Sequence, residues 1–239
     1  MFAVILEDFE DELDAVKAII TTFSAPGAGG PKTRVAAANS ATLLLAATFE
    51  EFVREMARAY ARAVVAKRGS ISKIPSRIAS TAWRRSMESL AKLRVAGETI
   101  GGFHEATLSE ALSKFNSIHA FYQGDITQDI YQDLIHNENN MRPNEINSLF
   151  RVSDLSDVCR AMCNTQSILT AFDETDSGKA HGHLLRYIEA FIERRNKIAH
   201  SIAIMRSSGP NVILNDIEIL RGFGKALHET IEAHSHDSI

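Results

Sequence analysis

The stretch Glu193-Arg194-Arg195-Asn196-Lys197-Ile198-Ala199-His200 holds the residues best equipped for chemistry. Histidine exchanges protons close to neutral pH, with an ordinary pKa of ~6.5. Arginine stays charged, and its planar fork suits phosphate oxygens. An amide such as Asn196 can orient an imidazole or hold an oxyanion. Spacing adds a constraint. With Leu184 at zero and ~100° per residue, Ile188, Phe191, Ile192, Ile198, Ala199 and Ile202 fall within ~80° of zero. Arg195 falls at ~20°, inside that apolar stripe. A guanidinium is costly to desolvate unless it is paired. Arg195 therefore needs a partner, or a wet cleft in which it works. His200 lies ~140° away around the helix. Asn196 and His200, one turn apart, share another face with Glu189 and Glu193. Two readings stay open: a buried ion pair with a histidine packed at the helix end, or a working pair of groups.

The elements that must position these residues read as helices throughout. Apolar positions repeat at helical spacing from Asp8 to Phe23, and Pro26 to Pro31 is a break. A long Ala- and Leu-rich helix is expected from Thr33 to Lys67, with Leu43, Leu44, Ala47, Phe49, Phe52, Val53 and Met56 as its core side. Gly69 to Ser80 reads as a loop or short turn, and Trp83 to Val95 as a helix ended by Gly97 and Gly101-Gly102. Shorter helices are expected over His104–Phe121 and Ile126–Ile135. Asn137 to Asn147 is turn-rich, and Pro143 suits the first turn of a small helix to Phe150. A helix capped by Ser153 is expected to reach Phe172, followed by an exposed loop over Asp173–Gly182. The motif helix is expected from His183 to Met205, and the last from Asn215 to Ala233. Asn211–Leu214 is at most a short extended piece. The fold class is all-α: one domain over 1–239, with a basic helical extension at 54–102.

Charge is unevenly distributed. Arg54 to Arg94 holds eleven basic residues against two acidic ones, a local +9; with a net charge of −4, the rest of the chain carries −13. Such asymmetry can hold a phosphate backbone against one side of a protein, or it can be a solvated helix face. Within this stretch Trp83-Arg84-Arg85 offers an aromatic plane beside two cations, suited to RNA, although a helix start with an aromatic anchor reads the same way. No apolar run of ~18 residues suggests a membrane span. An acidic beginning without a basic leader and two cysteines, Cys159 and Cys163, read as reduced thiols, predict a cytoplasmic protein.

The hexapeptide Arg195-Asn196-Lys197-Ile198-Ala199-His200 resembles the signature of the HEPN superfamily: an arginine, a polar residue, then a histidine four to six residues past the arginine. The helix Leu43-Leu44-Leu45-Ala46-Ala47-Thr48-Phe49-Glu50-Glu51-Phe52-Val53-Arg54-Glu55 and the turn Asn139-Asn140-Met141-Arg142 are similar to the branch of HEPN-like nucleases related to the RiboL-PSP group. The resemblance implies an all-α helical bundle of the HEPN type, a homodimer and metal-independent RNA cleavage, with no cofactor and no metal. It implies Arg195, Asn196 and His200 as the catalytic set. Arg84, Arg85, Arg194 and Lys197 are then the expected RNA contacts. A toxin or phage-defence role, with an antitoxin or regulatory protein as partner, is the expected setting. A non-catalytic nucleic-acid-binding or dimerisation module of the same type is the alternative. Ile202 stands where members modified by a nucleotidyltransferase carry tyrosine, which puts that control in doubt.

The chemistry is self-consistent. RNA can be cut by its own 2′-hydroxyl if a group near neutral pH moves the proton and a cation meets the phosphate charge. The ~140° between Arg195 and His200 is awkward on one straight helix. A bent helix, or two copies of the motif meeting across a two-fold axis, would resolve it. The pairs His181/His183 and His234/His236 lack other ligands at metal spacing, and Gly97–Gly102 has no phosphate-loop pattern.

Overall fold

The computed structural model describes residues 1–27, 29–92, 105–136, 139–200 and 207–237. Arg94, Val95, Gly97, Gly101, Gly102, His104, Asn137 and Ile202, which figure in the sequence reading, lie outside them. Among the described residues the fold is all-α, without a strand. The elements are α1 (Phe2–Ser24), α2 (Pro31–Arg68), a 3-10 turn (Ile71–Lys73), α3 (Ser76–Lys92), α4 (Glu105–Tyr122), α5 (Tyr131–Leu134), α6 (Pro143–Arg151), α7 (Val158–Met162), α8 (Gln166–Ala171), α9 (Ser177–Ala199) and α10 (Pro210–Asp237).

Several boundaries differ from expectation, each for a local reason. The helix expected from Ser153 to Phe172 is two short ones. Asp154 adopts φ 68°, which takes the chain out of helical geometry after Ser153. Asp157 then caps α7 by accepting from the Arg160 N–H at 3.1 Å, and Thr165 caps α8 by accepting from Ile168. The Ser153 hydroxyl, the expected cap, is buried. The Ile126–Ile135 helix shrinks to one turn. Asp125 accepts from the Thr127 and Gln128 side chains, and Asp129 from the Tyr131 N–H, so side chains compete for the backbone. Three helices begin early. The Pro75 carbonyl opens α3 by accepting from Ile78 and Ala79, Asp176 caps α9 from Lys179 at 2.8 Å, and Pro210 begins α10. Residues 211–214 are therefore helical, not extended.

The chain divides into two compact units. The first comprises residues 1–56, 139–148 and 156–239, and the second residues 57–138 and 149–155. In the first, α1 packs on α10, and α10 also packs on α7 and α8. Phe49 of α2 anchors its core, edge-on to Phe223 at 5.1 Å and to Phe191 at 6.1 Å between ring centres. Phe9 stacks on Phe52 at 4.0 Å. In the second unit α3 packs against α4 and α5 around the fully buried Ile78, Phe121, Leu134 and Ile135. Most of the basic stretch belongs to this second unit.

Close packing of α8 on α10 depends on Gly222. A Cβ there would lie 2.7 Å from the Ala171 Cβ and 3.3 Å from the Ser167 carbonyl oxygen. Gly222→Val is expected to lower stability by about 1–3 kcal/mol through overpacking. Thermal denaturation of the purified variant checks this, and an unchanged midpoint refutes it.

Candidate active site

Helix α9 is oriented by burial. Leu184, Ile188, Phe191 and Ile192 are all fully buried. At roughly 1.5–3 kcal/mol for each such side chain, an upper estimate of about 6–12 kcal/mol fixes the helix's rotation about its axis. Arg195 lies on the same line two turns beyond Ile188, so it is carried to that side. The stripe weakens there: Ile198 is half-buried and Ala199 is exposed. Arg195 consequently sits half-buried where the stripe leaves the core.

Its partners are neutral. Arg195 Nη1 donates to Asn140 Oδ1 at 3.2 Å and to Asn196 Oδ1 at 3.1 Å. Among the described residues of this unit, no carboxylate comes within ion-pair distance of it. These two amides hold the guanidinium in place without cancelling its charge. The Asn196 bond also draws the head around α9 toward the face that carries His200. His200 is exposed and ends α9 as its C-cap, with φ −104° and ψ 3°. Its N–H donates to the Asn196 carbonyl at 3.0 Å. The helix is described as far as the motif's last residue; Met205, its expected end, lies outside the described residues.

Arg194 departs from its expected role. Its Nη2 donates to both oxygens of Asp216 at 2.7 Å, and the Tyr187 hydroxyl donates to Asp216 Oδ1 at 3.1 Å. The Asp216 side chain is 4% exposed. Burial raises its carboxyl above the ordinary range, while Arg194 and Tyr187 pull it back down. Burial, and then the Asp216 charge, raise the Tyr187 phenol well above its usual range. Arg194 thus joins α9 to α10. Of the other expected RNA contacts, Lys197 is exposed, 3.8 Å from Glu193. Arg84 and Arg85 belong to the second unit. Arg84 is exposed and pairs with Glu88 at 3.2 Å; Arg85 is half-buried and donates to the Leu134 carbonyl at 2.6 Å. Trp83 beside them is 50% exposed.

Two residues of the site had no assigned role in the sequence reading. Asn140 supplies an oxygen to Arg195. Arg142, two residues on, pairs with Glu189 and, at 3.8 Å, with Glu193. The polar turn thus grips α9 at two levels. Its similarity to a HEPN-like turn was the available signal. Cys159 and Cys163 are buried and unpaired, and burial pushes both thiols up, Cys163 to about 11, so neither is primed as a nucleophile. Among the described residues, no three His, Cys, Asp or Glu side chains converge as metal ligands. No helix is long and apolar enough to cross a membrane, again among the described residues.

The family model of RiboL-PSP-HEPN matches residues 7–233, so the chain belongs to that family. It is thereby an all-α HEPN domain, of a class related to nucleases and nucleic-acid binding. Comparison with curated proteins and with solved structures found no match.

The environment of Arg194 generates a stability prediction. Arg194→Ala leaves a buried carboxylate unpaired, and a loss of about 3–5 kcal/mol is expected at pH 7. Asp216 has a raised folded-state pKa, so its ionised form opposes folding. That penalty fades as pH falls through the folded value. Removing Arg194 raises the value further, so the variant's deficit should shrink between pH 7 and pH 5. Urea unfolding at both pH values measures it. A deficit that is constant or grows on acidification refutes this account.

Proposed function

We propose that this chain is a metal-independent endoribonuclease. The RNA's 2′-hydroxyl attacks the adjacent phosphorus, its proton passing to a base, while the bond to the 5′-oxygen breaks and that oxygen takes up a proton. His200 moves protons, Arg195 meets the phosphate charge, and Asn196 orients the pair. Asn140 holds Arg195 in position. The observation that carries this reading is the half-exposed Arg195 guanidinium, fixed by two amide oxygens with no carboxylate of the described residues in ion-pair reach. A preorganised, uncompensated cation stabilises charge that develops in a transition state. A purely structural arginine would resemble Arg194, which has its acid.

A homodimer completes the proposal. Arg195 and His200 leave α9 from different sides, and a two-fold axis through the motif would let each subunit contribute to one cleft. Arg84, with Trp83 beside it, offers RNA a further contact in the second unit, and Lys197 one next to the motif. Arg194 is withdrawn from the RNA contacts. As a toxin or phage-defence effector, such a nuclease would need an antitoxin or other restraining partner.

The direct test is incubation of purified protein with RNA in the presence of a chelator. Wild type is expected to cleave, and Arg195→Ala and His200→Ala each to lose at least about 100-fold in rate. Binding without cleavage by the wild type would instead favour the non-catalytic module. Composite sites make a separate prediction. Co-refolding Arg195→Ala with His200→Ala should restore roughly a quarter of wild-type activity, because half the dimers are mixed and each mixed dimer has one intact site of two. No recovery, with mixed dimers verified by mass, would place each site within one chain.

A further inference from the structure

A groove of about 820 Å³ runs along α9 beside the start of α6. In the frame with Leu184 at zero, its lining residues Leu185, Arg186, Glu189 and Glu193 lie between ~100° and ~200° around the helix. Asn196 and His200 lie at ~120° and ~160°. The groove therefore opens on the same face as the histidine, further toward the N-terminus of α9.

The polar groups that line it fall into two sets. The carboxylates are engaged: Glu189 and Glu193 pair with Arg142, and Asp157 caps α7 and accepts from Asn147 Nδ2 at 3.1 Å. Arg186, His181 and Asn144 have no hydrogen bond or ion pair with the described residues. Arg186 folds back over Gly182, where an added Cβ would stand 3.4 Å from its Nη1. Long side chains on a helix lean this way, toward its N-terminus. The guanidinium thus lies along the helix in the groove that His181 also lines, its charge unspent. A cation, an imidazole and a spare amide in one groove of nucleotide size suit a phosphate and a base edge.

We propose that this groove seats the single-stranded RNA leading to the cut, with Arg186 gripping a backbone phosphate away from the scissile one. The proposal rests on the ribonuclease reading. Gly182 and Asn196 are fourteen residues apart, so the seat lies about 21 Å along the axis from the motif. That span is about six stacked nucleotides at roughly 3.4 Å each, and fewer if the strand is stretched.

The length sets the experiment. Cleavage of fluorescent RNAs of about 4, 10 and 20 nucleotides is compared for wild type, Arg186→Ala and Gly182→Leu, the last improving helix propensity while filling the seat. For the longer RNAs, KM is expected to rise about tenfold in both variants with kcat within about twofold, and the log–log salt slope of binding to fall by about one in Arg186→Ala. The shortest RNA should be indifferent to both changes. An unchanged KM for long RNA, or an equal change at every length, overturns the seat while leaving the nuclease reading intact. If the wild type does not cleave, the nuclease reading fails. The seat is then judged from anisotropy with the same labelled 20-mer, where weaker binding by both variants sustains it and equal binding ends it.

Discussion

Arg194 and Arg195 are adjacent, chemically identical and ~100° apart on one helix, yet among the described residues only Arg194 is given a carboxylate. Everything at the motif follows from that allocation. The apolar stripe of α9 fixes its rotation more firmly than any single ion pair could. Arg194 is thereby turned to α10, where Asp216 waits in a low-dielectric setting with Tyr187. Arg195 is turned to the polar segment before α6, where the amide of Asn140 meets it, with that of Asn196 beside it on α9. One charge is consumed in joining two helices, and the other is left available.

The turn at residues 139–142 makes this availability specific. Its ion pairs from Arg142 to Glu189 and Glu193 are partly exposed, and pairs of that kind contribute little to stability. What they do is set the turn's position along α9. That places Asn140 against Arg195. An aspartate there would orient the guanidinium equally well but would cancel its charge; an amide orients without neutralising. The same ion pairs also offset part of the negative charge of Glu189 and Glu193 beside the groove, where a polyanion would otherwise be repelled.

The sequence made the periodic parts legible. The stripe of α9 and the pairing requirement of Arg195 follow from spacing, because burial of a helical face is a cooperative, many-residue signal. On α2 spacing correctly placed Phe49, Phe52, Val53 and Met56 inside, but Leu44 and Ala47 are exposed, and Leu45 and Ala46 are buried in their stead. Single-residue decisions were harder. Ser153 and Asp157 both look like helix caps, and only the left-handed turn at Asp154 decides between them. Asp125 and Asp129 bend a segment whose apolar pattern alone reads as helix. The partner of Arg195 was also hidden. The physical argument required a partner for a buried charge, and a carboxylate was the natural candidate. The residue that answers, Asn140, is 55 positions away. The carboxylate went instead to Arg194, at about −80° from the centre of the stripe, on the edge opposite Ile192, where periodicity does not say which neighbouring helix will supply a partner.

Asn196 ties the two halves of the motif together. Its side-chain oxygen accepts from Arg195, and its backbone carbonyl accepts from the N–H of His200. The first bond draws the guanidinium around the helix toward Asn196, shortening the ~140° separation suggested by ideal helical geometry. The second fixes the backbone turn on which the imidazole is mounted, at the point where α9 stops. Any residue's carbonyl serves the second bond, but the first needs a side-chain acceptor that is uncharged, since a carboxylate would pair with Arg195 and silence it. Asparagine meets that demand, which is a physical reason for a neutral polar residue directly after the arginine.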